Sequence, residues 1–85
     1  MKLFEYLFLL ERLDKLIRLK ATGSPSELAN QLGLSRRQTL RILRQLREEG
    51  FPIEFDHDRQ SYIYTESVSV QFKLVVGGEY VLKIN

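Results

Sequence analysis

Five arginines crowd one short stretch of this chain. Arg36, Arg37, Arg41, Arg44 and Arg47 all fall in the run LSRRQTLRILRQLREEG, from Leu34 to Gly50. No acidic residue interrupts Ser35 to Arg47, so that interval carries +5, while eight basic and eleven acidic residues elsewhere bring the chain to a formal +2. A guanidinium donates two hydrogen bonds to a guanine edge or grips a phosphate, and a glutamine amide pairs in similar fashion with adenine. This is chemistry for a polyanion. At 100° per residue, Arg37, Arg41 and Arg44 share one side of a helix, with Gln38 and Gln45 on a flank. Thr39, Ile42, Leu43 and Leu46 lie opposite and are expected to face a core. Ser35 and Arg36, at the helix start, suit backbone phosphate, aided by the free amides there.

Other candidate groups carry less. His57 is the single histidine and has no second ligand type beside it in sequence, so it reads as a plain loop residue rather than a metal ligand or catalyst. Glu54, Asp56 and Asp58 alternate along a strand and border a turn; they read as solvated charge, which opposes close approach to phosphate and partly offsets Arg59. Gly77-Gly78 lacks the spacing of a phosphate-binding loop. No nucleophile–base pair or carboxylate constellation stands out, so neither enzyme chemistry nor a cofactor is expected. Without cysteine, disulfides and thiolate metal sites are excluded.

The elements that must position the arginines are legible from local signals. Leu3 to about Ala21 is predicted as a helix, with Glu11/Lys15 and Asp14/Arg18 spaced as acid-first i,i+4 pairs and Gly23 as its stop. Ser24-Pro25-Ser26-Glu27 has the form of a capping box and opens a short second helix to Leu32, with Leu28, Ala29 and Leu32 inward. Gly33-Leu34 makes a turn. Ser35-x-x-Gln38 is a second capping box, opening the arginine helix, which Gly50 and Pro52 end. From Ile53 the apolar period changes to two. Pairing Phe55 with Tyr62 and Ile53 with Tyr64 predicts a β-hairpin whose tip is His57 to Gln60. A second hairpin follows, with Val68, Val70, Phe72, Leu74 and Val76 on one face and Tyr80, Leu82 and Ile84 on the other strand. A three-residue loop, Gly77-Gly78-Glu79, keeps these apolar faces together by pairing Val76/Tyr80, Leu74/Leu82 and Phe72/Ile84.

Three helices followed by a hairpin predict an α+β fold: a winged helix-turn-helix over residues 1–66, with an extra C-terminal β-hairpin over 67–85. The run SELANQLGLSRRQTLRILRQLREEGFPIEF resembles the winged-helix domain of DeoR-like and WYL-type bacterial transcription regulators and of the biotin repressor N-terminus. The likeness extends from about Arg12 to Tyr64 and departs from the family's habit at Leu40, often aromatic there, and Ile42, often acidic. It implies that the third helix reads double-stranded DNA through Arg36, Arg37, Gln38, Arg41 and Arg44, with His57 and Arg59 as wing contacts. Such regulators usually carry an effector domain after this module; the short segment Val68 to Asn85 is expected to stand in its place.

Composition sets the remaining expectations. Eighty-five residues, 44% apolar with five phenylalanines and four tyrosines, describe one small folded domain rather than a disordered chain. No run reaches the roughly 18 apolar residues of a membrane span, and Glu5 and Glu11 argue against a signal peptide, so a cytoplasmic protein is expected. Leu3, Phe4, Tyr6, Leu7, Phe8, Leu9 and Leu10 point in nearly every direction around the first helix, too broad a set for one buried stripe. Either the C-terminal hairpin wraps this helix, or a homodimer forms through helix one and that hairpin; the dimer is the favoured reading because so large an exposed patch is unusual. A two-fold dimer presents two reading helices to a palindromic site. The alternative function is a protein–protein interaction module whose arginine face docks an acidic partner.

Overall fold

Serine side chains start the second and third helices. The computed structural model describes residues 1–69, 72–76 and 79–84, with side chains through residue 69. Its elements run α1 (Leu3–Arg18), α2 (Pro25–Leu32), α3 (Arg36–Glu48), β1 (Ile53–Asp56), β2 (Ser61–Tyr64), β3 (Phe72–Val76) and β4 (Glu79–Ile84). At α2, Ser24 Oγ accepts the Glu27 N–H at 3.2 Å while Glu27 Oε1 accepts the Ser24 N–H at 2.9 Å. At α3 the same reciprocal pair forms between Ser35 and Gln38, both bonds at 3.0 Å. Each box satisfies two amides that a helix start otherwise leaves without partners. Between the two helices Gly33 takes φ 69°, and its N–H turns back to Ala29 and Asn30. That left-handed conformation strains residues with a Cβ, and it sets the α2–α3 turn.

α1 stops earlier than its sequence predicts. It ends at Arg18 instead of about Ala21, and Gly23 is not its stop. Lys20 takes the left-handed position at φ 54°. Its N–H reaches Ile17 O and that of Ala21 reaches Leu16 O, both at 3.0 Å, closing the helix end in the Schellman pattern. The reason lies far along the chain. Thr22 is fully buried against Ser61, so the backbone leaves the helical path in time to deliver it there. Gly23 serves the next helix instead: a Cβ built on it would stand 2.9 Å from Glu27 Cβ.

The core joins Leu13 and Ile17 of α1, Leu28 of α2, Ile42 and Leu43 of α3, and Ile53 and Tyr62 of the first hairpin. Ala29 and Thr39 are buried beside them, and Thr39 Oγ1 returns its hydrogen bond to Ser35 O at 2.9 Å. Leu46 is half-buried rather than sealed. β1 and β2 pair in the predicted register, Ile53 with Tyr64 and Phe55 with Tyr62. The simple alternation fails at Ser61, which is as buried as its neighbour Tyr62. Thr22 explains this. Its N–H donates to Ser61 Oγ at 3.2 Å, its hydroxyl lies 3.1 Å from that oxygen, and it accepts the Tyr62 N–H at 2.8 Å. A serine can be buried on the strand because every polar atom there is matched.

β3 and β4 form a second antiparallel pair, separate from the first. The three-residue loop predicted from sequence is corrected here. Val76 pairs with Glu79 and Val75 with Tyr80, not Val76 with Tyr80. One extra residue on β4, Val81, then restores the pairings Leu74/Leu82 and Phe72/Ile84. A bulge performs the register correction assigned to a longer loop. Cα atoms of β4 come within 8 Å of α1. The hairpin's apolar faces, and whether they cover α1 or a partner, lie outside the described side chains.

Candidate nucleic-acid interface

α3 is held to the core by Thr39, Ile42 and Leu43, so its orientation is decided by packing. The opposite side follows by geometry. Ser35, Arg36, Arg37, Gln38, Arg41 and Arg44 are all exposed. Arg36, Arg37, Arg41 and Arg44 surround a shallow hollow whose apolar member is the half-buried Leu40. Among the described residues one carboxylate approaches this set: Glu48 Oε1, 4.0 Å from Arg44 Nε, with both side chains about two-thirds exposed at 69% and 68%. A contact that long and wet holds little, so no carboxylate of the described residues closes off the guanidinium face.

The two flanks differ. On one, Met1 and Tyr6 of the α1 end meet Gln38, Arg41 and Gln45 around a groove. On the other stands the hairpin. Arg47 belongs to that side: its Nε donates to Ile53 O at 2.8 Å and its guanidinium lies 5.9 Å from the Tyr62 ring centre. Counted by charge alone it joins the other four arginines, but it works as a strut between α3 and β1. The signal was its angle on the helix, nearer Leu43 than Arg41. Burial raises the Tyr62 phenol above its ordinary pKa, and the Arg47 and Arg36 charges oppose that shift.

Gln38 is less free than its position suggests, because its Oε1 already accepts the Ser35 N–H within the capping box. Ser35 Oγ is likewise committed to the Gln38 amide. His57 is exposed and its ring packs edge-on against Phe55, with centroids 5.0 Å apart. Arg59 is exposed too, but it is engaged: Nη1 donates to Asp56 Oδ2 at 2.8 Å. Asp56 therefore departs from the expectation of purely solvated charge. Its Oδ1 accepts the backbone N–H of Asp58 at 2.9 Å and of Arg59 at 3.2 Å, an Asx turn that shapes the hairpin tip. The Arg59 side chain, then its amide, hold the Asp56 carboxyl below its usual pKa.

A third polar cluster ties α1 to the hairpin. Tyr64 donates its hydroxyl to Asp14 Oδ1 at 2.6 Å, and Arg18 Nε lies 3.0 Å from Asp14 Oδ2. The Arg18 guanidinium also sits 5.3 Å from the Tyr64 ring centre. The predicted Asp14/Arg18 pair is thus present, and no Glu11–Lys15 contact accompanies it among the ion pairs of the described residues. Burial first, then the Asp14 hydrogen bond, push the Tyr64 phenol well above its ordinary range. Along α1, Leu3, Phe4 and Phe8 remain exposed at 59%, 48% and 53%. Among the described residues, no group of three His, Cys, Asp or Glu side chains is arranged to hold a metal ion, and no helix is long and apolar enough to cross a membrane. No protein-family model, curated protein or solved structure matches this chain.

Proposed function

We propose that this chain is a non-catalytic winged helix-turn-helix protein that binds double-stranded DNA sequence-specifically, with α3 in the major groove, as a small transcriptional regulator. One observation carries the reading: four arginines on a core-anchored helix face solvent, and the nearest carboxylate among the described residues reaches only Arg44, at 4.0 Å. Arg37 and Arg41 stand at the centre of the exposed side and are assigned to base edges, Arg36 and Arg44 to phosphates beside them. Leu40, in the hollow between them, supplies an apolar surface suited to a thymine methyl group. The β1–β2 hairpin takes the wing position, with His57 and Arg59 at its tip.

The exposed Leu3, Phe4 and Phe8 support a homodimer through α1 as part of the same proposal. Two copies then present two α3 helices to a palindromic site. Selection of bound sequences from random duplexes at physiological salt tests both parts. Enrichment of a palindrome is the expected result. Retention of no duplex, together with a stoichiometric acidic protein partner on the arginine face, would replace this reading with that of a docking module.

A further inference from the structure

The hairpin carries one cation and spends it internally. Between Ile53 and Tyr64 the charged residues are Glu54, Asp56, Asp58 and Arg59, so acids outnumber the single arginine. Asp56 is the organiser: both its oxygens are taken, Oδ1 by two backbone N–H groups and Oδ2 by the Arg59 guanidinium. Its side chain is only 16% exposed while that of Arg59 is 57% exposed. The carboxylate is the fixed partner and the guanidinium the one that lies over it. Gln60 secures the same tip, with φ 53° and its Nε2 donating to His57 O at 2.6 Å.

We infer that Asp56 is a positioning residue that withholds Arg59 from the phosphate backbone, so that phosphate binding falls to α3 and the wing adds little to duplex affinity. The inference rests on the reading of α3 as a DNA-contacting helix. Swinging Arg59 onto a phosphate would leave Asp56, pinned by two amides, facing that phosphate with its charge uncovered. Glu54 and Asp58, both exposed, add repulsion of the same sign. Sequence-independent affinity comes from neutralised phosphates. A wing that neutralises its own arginine keeps that affinity low.

The test is a gain of binding. Asp56→Asn keeps an oxygen to accept the two turn amides but removes the charge that holds Arg59. Affinity for a random-sequence 20-base-pair duplex is read by fluorescence anisotropy across a salt series. D56N is expected to bind about five- to tenfold tighter near 0.1 M salt, with a log–log salt slope steeper by about 0.9, the signature of one added phosphate contact. Asp58→Asn raises net charge equally without freeing Arg59, so its slope stays at the wild-type value. The double variant D56N/R59A loses the gain, and Arg59→Ala alone leaves the slope unchanged. Two results overturn the inference while the DNA reading stands: a slope flattened by Arg59→Ala alone, or a D58N gain equal to that of D56N. Failure of both wild type and D56N to bind any duplex overturns the two together.

Discussion

Arg37 and Arg41 carry the sharpest expectation, because each projects from the exposed side of α3 and neither has a carboxylate within salt-bridge range among the described residues. Replacing either with alanine is expected to weaken binding to a selected site by about 1–3 kcal/mol, the usual worth of a lost base contact. Gel shifts on that site, with circular dichroism to establish an unchanged fold, make the check; equal affinity for both variants would remove the central support. Tyr64 gives a pH dependence whose sign is determined by its surroundings. Burial and the Asp14 carboxylate hold its proton in the folded chain, whereas the unfolded phenol releases it near its ordinary value of about 10. The unfolded state therefore binds fewer protons above that pH, and stability must fall as pH rises. Urea denaturation between pH 8 and 11 is expected to show this decline, and Tyr64→Phe to make it shallower. At pH 7 the same change should cost about 1 kcal/mol for the lost hydrogen bond.

Elements are locked to one another by polar links whose partners lie far apart in sequence. Thr22 and Ser61 join the α1–α2 connection to β2, and Arg47 joins α3 to β1. Thr22→Val preserves shape but deletes the acceptor for the Tyr62 amide and the hydroxyl beside Ser61. Leaving buried groups without partners is expected to cost about 1–3 kcal/mol. The measurement is the urea midpoint at constant m-value; a shift near zero would mean that water replaces the lost contacts. Local sequence announced both capping boxes and the hairpin register, since these depend on neighbours three to eleven residues apart. It gave no sign of the Thr22–Ser61 link, which spans 39 residues. It also misplaced the end of α1, because the glycine rule was outweighed by the pull of that buried contact.

Among the described residues, four arginines stand together on α3, and Leu3, Phe4 and Phe8 stand exposed on α1. If the apolar patch joins two copies, Phe4→Ser/Phe8→Ser should convert a dimer to a folded monomer in sedimentation velocity. Affinity for a palindromic duplex should fall with it, while affinity for a single half-site stays near that of wild type. A wild-type monomer at all concentrations would end the dimer proposal. Salt provides the companion measurement. Each phosphate neutralised should contribute about −0.9 to the log–log slope, so the number of phosphate contacts follows from it.

Much of this organisation was legible in the order of residues. Helical periodicity assigned Thr39, Ile42, Leu43 and Leu46 to one side of α3 and Arg37, Arg41 and Arg44 to the other, and burial follows that division except that Leu46 is only half-buried. Such patterns are local, and the 3.6-residue turn converts them into faces without reference to the rest of the chain. Folding decided which charges remain available on those faces. Arg47 and Arg59 are as cationic as Arg41 in sequence, yet one is spent on Ile53 O and the other on Asp56. An arginine's partner is set by distance in space, and a charge count along the chain cannot register it.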